Sequence, residues 1–256
     1  MYNKVKVNST LTLNSSECTH LSIIMASLKL YSVSDSPPTL AVRLALKALN
    51  IDHTIVDIDF AAGEHLTDDY AKKNPQKEIP CIDDNGFLLS ESIAILQYLA
   101  DKYSVTDSLY PKDPQKRALV NHRLAFNIST YYRYISEYVM APIFFAYERT
   151  PLGLKKVNIG LSVFETLLER QGTNFAASAV FTIVNFYFLS ATLCLEAIGF
   201  GLEAYPRVTK WYSNFKKDYP ELWEVVEPGM KEIQEFNMNP PDLSSLKHPL
   251  HPTKKT

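Results

Sequence analysis

The sequence lacks a long apolar run. The best candidate, residues 186–198, is interrupted by Ser190, Thr192 and Glu196, and it is shorter than the roughly 18 residues that a transmembrane helix needs. The first 24 residues carry Asn, Ser, Thr, His and Glu, where a secretory signal requires an apolar stretch. We therefore expect a buried core helix near residue 190, an unstructured leader, and no membrane as a partner.

Cysteine is also scarce. Cys18, Cys81 and Cys194 are odd in number and widely spaced, and no Cys-x-x-Cys occurs. A disulfide framework, a zinc site and a dithiol redox motif therefore lack support. A reducing, cytoplasmic setting agrees best with this cysteine usage.

Neither sign of charge dominates the chain. The 26 Lys and Arg residues nearly balance the 28 Asp and Glu residues, and the formal net charge is −2. This balance argues against nucleic acid or an anionic membrane as an obligate partner. The 256 residues are 46% hydrophobic and 21% charged, a composition typical of a globular protein with room for one large domain or two ordinary ones.

The most informative segment spans residues 74–93. Pro80 interrupts an apolar, strand-like run; because proline cannot donate a ladder hydrogen bond, it marks an edge strand or a special turn, for which a cis bond is one solution. Asn85-Gly86 is a strong hairpin signal. Ser90 precedes a helical pattern and is predicted to cap it. Free N–H groups at such a helix end predict a site for a small carboxylate.

The predicted elements divide the chain into two parts. The first is β-α-β, a loop with a short helix, then β-β-α, with strands at 28–32, 53–58, 79–82 and 87–89 and helices at 38–49 and 92–103. After a turn-rich linker only helical periodicity remains, with helices at 115–147, 154–170, 183–198, 206–218 and 220–235. This order predicts an α/β domain followed by an all-α domain. The expected divisions are a leader at 1–26, domains at 27–104 and 115–236, a linker at 105–114 and a loose, Pro-rich tail at 237–256.

Several short motifs follow one another along the chain in a specific order and spacing. They are Leu30-Tyr31…Ser36-Pro37-Pro38, Gly63-Glu64-His65, Asn74-Pro75-Gln76…Ile79-Pro80, Glu91-Ser92, Asp107-Ser108-Leu109-Tyr110-Pro111 and Tyr205-Pro206…Trp211-Tyr212. Over residues 28–225 this pattern resembles the cytosolic glutathione S-transferases, especially the insect delta and epsilon classes. The resemblance implies an N-terminal thioredoxin-like domain followed by a C-terminal helical bundle domain, a homodimer, glutathione as co-substrate and no metal.

The resemblance also implies site residues. Ser36 matches the catalytic serine, whose hydroxyl would donate to the glutathione sulfur and favour the thiolate; alone, Ser36 would only start a helix. Glu91 and Ser92 match the residues that hold the γ-glutamyl end. The full set implied for glutathione is His65, Lys77, Ile79, Pro80, Glu91, Ser92 and Ile93.

Two positions depart from the family pattern. Lys77 stands where members usually carry His, although its charge could still meet the glycyl carboxylate. Ile93 stands where the delta and epsilon pattern has Arg, which removes a contact to the γ-glutamyl carboxylate. These changes weaken the case for efficient turnover more than the case for glutathione binding.

Aromatic residues crowd the stretch 131–147. Such a stripe is more often core than pocket, yet small molecules bind at domain interfaces, and aromatic rings suit flat apolar compounds. We expect the electrophile pocket to include Pro38, Phe126, Tyr132 and Tyr138.

The resulting hypothesis is a glutathione transferase that conjugates glutathione to apolar electrophiles in xenobiotic detoxification. The alternative is a non-catalytic or weakly catalytic carrier of hydrophobic ligands that keeps the same fold. A thioredoxin-type redox protein is disfavoured because Ser36-Pro37-Pro38-Thr39 occupies the place of the reactive cysteine.

Overall fold

The computed structural model describes residues 28–252, so the expected leader at 1–26 lies outside the described part. The first domain contains strands β1 (Leu28–Ser32), β2 (His53–Asp57), β3 (Cys81–Asp84) and β4 (Phe87–Ser90), with helices α1 (Pro37–Ala48), α2 (Asp68–Ala71) and α3 (Ser92–Tyr103). The sheet order is β2-β1-β3-β4. β1 runs parallel to β2 and antiparallel to β3, and β4 is antiparallel to β3.

The sequence predicted this β-α-β, β-β-α order, and the structure confirms it. Asn85 and Gly86 both have positive φ values, 56° and 91°, which is the backbone that a tight two-residue hairpin requires. The Ile79–Pro80 peptide bond is cis, and β3 begins after it, at Cys81. The prediction that Ser90 caps α3 is wrong, because Ser90 ends β4 and Glu91 occupies the N-cap position.

The second domain is helical. Its helices are α4 (Pro114–Phe126), α5 (Tyr132–Tyr138), α6 (Met140–Phe144), α7 (Pro151–Gln171), α8 (Ile183–Ala197), α9 (Pro206–Asp218) and α10 (Pro220–Met238). The single helix predicted at 115–147 is wrong. A π-helical segment, Asn127–Tyr131, follows α4, and α5 ends at Tyr138, four residues before Pro142, where the proline ring would clash with the helical carbonyl.

Helix α8 is the centre of the fold. All of its residues except Glu196 are buried, and it packs against α1 of the first domain and α10 of the second. The apolar run near residue 190 thus forms a core helix, as predicted. Among residues 28–252, no helix is both long and apolar enough to cross a membrane.

Helix α10 packs against the loop between β1 and α1. A Cβ atom at Gly229 would lie 2.6 Å from the Ser34 carbonyl oxygen and 3.1 Å from both δ-methyl groups of Leu40. Three residues later, Glu232 accepts a hydrogen bond of 2.6 Å from the Ser34 hydroxyl. The last helix therefore supports the loop that leads to Ser36.

The segment 239–252 differs from the loose tail that its composition suggested. Leu243 and Leu246 are each only 2% exposed and pack with Phe145. The Ala146 amide donates a hydrogen bond of 3.0 Å to the Pro252 carbonyl. These buried contacts hold the segment against Phe60, Leu66 and Phe144 as well.

Candidate functional site

A cleft of about 360 Å³ lies at the interface between the two domains. Its walls come from residues 33–38, from Phe60 and His65, from Glu78 and Ile79, from helices α5 and α6, and from the tail. Five residues predicted for the site line this cleft together: Ser36, Pro38, His65, Ile79 and Tyr132. Chain segments separated by almost 100 residues thus meet at one place.

Ser36 is the N-cap residue of α1. Its carbonyl accepts the amide hydrogen bond of Leu40 at 2.9 Å, while its side chain makes no capping hydrogen bond. Pro37 and Pro38 have no N–H, so the first turn offers the hydroxyl few donors. The hydroxyl of Ser36 is therefore available to a ligand in the cleft.

The turn before Pro80 is held by hydrogen bonds to one carbonyl. The backbone carbonyl of Glu78 accepts a hydrogen bond of 2.8 Å from the side-chain amide of Asn74 and one of 3.0 Å from the Tyr70 hydroxyl. Ile79 then lines the cleft, while Pro80 is buried behind it. Lys77 does not line the cleft in the described structure, because its Nζ donates to the Leu66 carbonyl at 2.6 Å.

Glu91, Ser92 and Ile93 form a separate group at the start of α3. Glu91 has a φ of 66° and accepts a hydrogen bond of 2.8 Å from the Gln76 amide. Ser92 is buried, and its hydroxyl lies 3.3 Å from that of Tyr187. Ile93 packs against the core. These three residues lie outside the lining of the 360 Å³ cleft.

Glu78 connects this group to the cleft. It lines the cleft, and partial burial together with the nearby Glu91 carboxylate raises the pKa of its side chain. The residues expected to hold glutathione are therefore divided between the cleft and a polar group beside it, with Glu78 between them.

Phe126 and Tyr138, expected in the electrophile pocket, do not line the cleft formed by the described residues. Tyr132, Ser136 and Met140 do line it. Tyr132 and Ser136 are four residues apart on one face of α5, and Met140 begins α6. Tyr138 follows Ser136 by two residues, which turns it away by roughly 200°. Phe126 precedes the π-helical segment and packs on Tyr131 and Phe188, with ring centroids 6.3 and 6.0 Å away.

The tail supplies residues that sequence reasoning missed. His248 and His251 line the cleft beside His65. The rings of His65 and His248 are 6.3 Å apart, and His251 stacks on Phe145 at 4.2 Å. No motif in the sequence marked these two histidines, because their position depends on how Leu243 and Leu246 anchor the tail.

His65 is 3% exposed and stacks on Phe60, with ring centroids 4.5 Å apart. Neither of its ring nitrogens has a hydrogen-bond partner among the described residues. Burial, together with the neighbouring His248, lowers the pKa of His65 to about 4. It is therefore neutral at physiological pH, with one ring nitrogen able to donate a hydrogen bond and the other able to accept one.

Asp35 is a third residue of the cleft that the sequence did not identify. It is 4% exposed, lines the cleft beside Ser36, and its Oδ2 has no partner among residues 28–252. Burial and the nearby Glu232 raise its pKa to about 7. A charged residue type next to Ser36 was the only sequence signal that could have identified it. In the described part of the chain, no three His, Cys, Asp or Glu side chains are placed to hold a metal.

Comparison with known proteins agrees with this arrangement. Residues 26–101 match the glutathione S-transferase N-terminal domain, and residues 138–217 match the glutathione S-transferase C-terminal domain. Glutathione S-transferase D6 of Drosophila melanogaster is 34% identical over 207 residues, which are 81% of this chain and 95% of that protein. The chain belongs to the glutathione S-transferase family.

Two solved structures extend the comparison. A diazinon-metabolizing glutathione S-transferase of the silkworm Bombyx mori is 55% identical, with a TM-score of 0.77, over 81% of this chain and 99% of that one. A delta-class glutathione transferase of Nilaparvata lugens is 36% identical, with a TM-score of 0.79, over 84% of this chain and 100% of that one. The predicted fold, family and enzyme class are thereby confirmed.

Proposed function

We propose that the cleft is the active site, in which Ser36 activates the glutathione sulfur for attack on an apolar electrophile. The observation that carries this proposal is the Ser36 hydroxyl, which is free of capping bonds at the start of α1 and lines the cleft together with Ile79. A thiol with a pKa of about 8.5 is mostly protonated at neutral pH, and a hydrogen bond to sulfur favours the thiolate.

The chemistry requires little beyond this hydrogen bond and positioning. The thiol releases its proton to solvent, and the thiolate attacks the electrophilic carbon while the leaving group departs with the bonding electrons. Holding the two reactants together in one cleft supplies much of the rate enhancement.

We assign the γ-glutamyl end of glutathione to Glu91 and Ser92 and the cysteinyl backbone to Ile79 and Pro80. The glycyl end then lies toward His65, whose ring nitrogens are free. Lys77, held by the Leu66 carbonyl, would have to rotate to reach it, and Ile93 offers only apolar contact. This assignment keeps the expected division into a glutathione domain at 27–104 and an electrophile domain at 115–236.

The physiological role that we propose is xenobiotic detoxification by a cytoplasmic homodimer. The diazinon-metabolizing relative, 55% identical to this chain, supports an insecticide-like electrophile. The apolar wall formed by Met140, Phe144 and Phe145 agrees with such a compound.

The direct test is Ser36→Ala. Loss of one donor to a developing anion costs about 10²–10³ in kcat, so we expect a fall of that order in the rate of conjugation to an aromatic halide. The absorbance of the bound thiolate near neutral pH should disappear in parallel. Ser129→Ala is the control, since that exposed hydroxyl contacts Thr130, outside the cleft.

The engaged Lys77 and the apolar Ile93 favour the second candidate, a carrier of hydrophobic ligands. If wild type and Ser36→Ala are equally inert toward electrophiles while apolar dyes bind tightly, the carrier is correct and the transferase proposal is wrong.

A further inference from the structure

A second cavity, of about 330 Å³, adjoins the cleft. The two cavities share Val33, Asp35, Phe60 and Phe144 as lining residues. The remaining walls come from residues 57–61, from α10 and from the tail. None of the glutathione residues proposed above lines this second cavity among residues 28–252.

Within the described chain, every charged side chain that lines this cavity is acidic. They are Asp35, Asp57, Asp59 and Glu232. None of the four forms a salt bridge with a described residue. Asp57 also interacts electrostatically with Arg43 on α1. Four acidic side chains and no Lys or Arg thus line the cavity within residues 28–252, while Arg43 offsets Asp57 from outside the lining.

Two buried polar atoms in the cavity wall lack partners. Ser32 is 1% exposed and Asp35 is 4% exposed, and neither Ser32 Oγ nor Asp35 Oδ2 has a hydrogen-bond partner among the described residues. A buried polar atom left unpaired costs about 1–3 kcal/mol. A ligand that donates hydrogen bonds to these oxygens would recover that free energy.

Three phenylalanine rings form an apolar side of the cavity. Phe144 meets Phe60 edge to face at 6.3 Å between centroids and meets Phe236 in the same way at 5.7 Å. The faces of such rings attract cations, and their area can cover an apolar body.

We propose that this cavity is a binding site for a small organic cation, namely a protonated amine with an apolar body. The ammonium N–H groups donate to Asp35 and Ser32, Glu232 and Asp57 contribute negative charge, and the phenylalanine rings cover the apolar part. The proposal does not rest on the transferase reaction proposed above, although the cavity shares Asp35, Phe60 and Phe144 with the cleft.

The groups that surround Asp35 determine whether its carboxyl group loses a proton when an ammonium group binds. Glu232 on α10, Tyr132 on α5 and Cys194 on α8 all interact with its carboxyl group. None of these groups is cationic, and the Asp35 pKa near 7 leaves the carboxyl partly protonated at neutral pH. An ammonium group beside Asp35 should therefore displace a fraction of a proton.

Calorimetric titration of the full chain at pH 7 tests the proposal with 2-phenylethylammonium as the probe. We expect saturable binding at least tenfold tighter than that of 2-phenylethanol, its uncharged analogue. The measured enthalpy should differ between phosphate and Tris buffers because a proton is released. In Asp35→Asn that difference should vanish.

Variants of residues that line the second cavity and not the cleft locate the site. Glu232→Gln should weaken binding about tenfold, and Phe236→Leu should weaken it by a smaller factor. Glu224→Gln, which removes the same charge from an exposed position of α10, should leave affinity unchanged. The proposal is overturned by equal affinity for the alcohol, by absence of saturable binding, or by affinity that is unaffected in both folded cavity variants. An inactive transferase would not alter any of these outcomes.

Discussion

The two sides of the cleft are built by different means. On the thioredoxin-like side, Ser36 begins a helix at two prolines and Ile79 precedes a cis proline, so local backbone features place each residue. On the helical side, Tyr132 of α5 and Met140 of α6 line the cleft, and His248 and His251 lie on an anchored tail. The first side is placed mainly by local rules, with α10 supporting the loop before Ser36, whereas the second side is placed by long-range packing.

This difference has a chemical counterpart. The thioredoxin-like side offers a hydroxyl, a backbone segment and a neutral histidine, which suit a peptide ligand of fixed structure. The helical side offers mostly carbon surface, which accepts many shapes. Substitutions on the two sides should therefore affect different substrates, and each prediction below tests that separation.

The largest effect in this set is expected from Ser92→Ala on the thioredoxin-like side. Loss of a hydrogen bond to a charged group costs about 1.5–3 kcal/mol, so the KM for glutathione should rise about 10–100-fold. The KM for the electrophile should change little. Tyr187→Phe is the matched control, because it removes the neighbour of the Ser92 hydroxyl and keeps the hydroxyl itself. Steady-state kinetics with each substrate varied would measure both constants.

The tail should show the opposite selectivity. Combining Leu243→Ala with Leu246→Ala removes buried side chains that cost about 2–5 kcal/mol each to truncate, which releases His248 and His251 from the cleft. We expect about a tenfold rise in the KM for the electrophile, equivalent to about 1.4 kcal/mol, and a smaller rise in the KM for glutathione, because His248 lies beside His65. Leu250→Ala is the control, since Leu250 is 77% exposed in the same tail. An unchanged electrophile KM would contradict the role given to the tail.

Asp35 lies where the two sides meet, and its effect is on stability. Its pKa is raised from 3.8 to about 7, so between these values the folded protein holds a proton that the unfolded chain has released. The stability it contributes is present at low pH and is lost as pH rises through 7.

Asp35→Asn should therefore gain about 2–3 kcal/mol of unfolding free energy relative to wild type on going from pH 5 to pH 8. Urea denaturation at both pH values measures this difference. Asp52→Asn, a change at an exposed site, should show no such gain. A wild-type pH dependence retained in Asp35→Asn would assign the effect to another group.

The smallest effect is expected from Tyr138→Phe. Tyr138 belongs to the aromatic stretch but faces Gly153, where a Cβ would lie 3.1 Å from its ring. The kcat/KM of the Tyr138→Phe variant for an aromatic electrophile should stay within about twofold of wild type. A substitution outside the site should change the activation free energy by about 0.4 kcal/mol or less. Tyr132→Phe, made in parallel inside the cleft, should have the larger effect.

Prediction from sequence succeeded where a residue type has a local structural meaning. Asn85-Gly86 required a hairpin, Pro37-Pro38 required a helix start, and the apolar run of α8 required burial. Prediction from sequence failed where two local signals favoured different structures. Glu91, and not Ser90, occupies the N-cap position of α3. The apolar spacing continues through Pro142, yet the structure has separate helices α5 and α6 there. His248 and Asp35 were beyond such rules, since their roles arise from contacts with distant segments.

The close contact between Gly229 and Ser34 has a consequence for biosynthesis. The loop that presents Ser36 is supported by Glu232, which lies 198 residues after its partner Ser34 in the chain. On the ribosome, the thioredoxin-like domain emerges first, yet the loop before Ser36 has no such support until α10 has been translated and has packed. A nascent chain that already contains the motifs of its first domain should therefore hold Ser36 in its final position only after the last helix is in place.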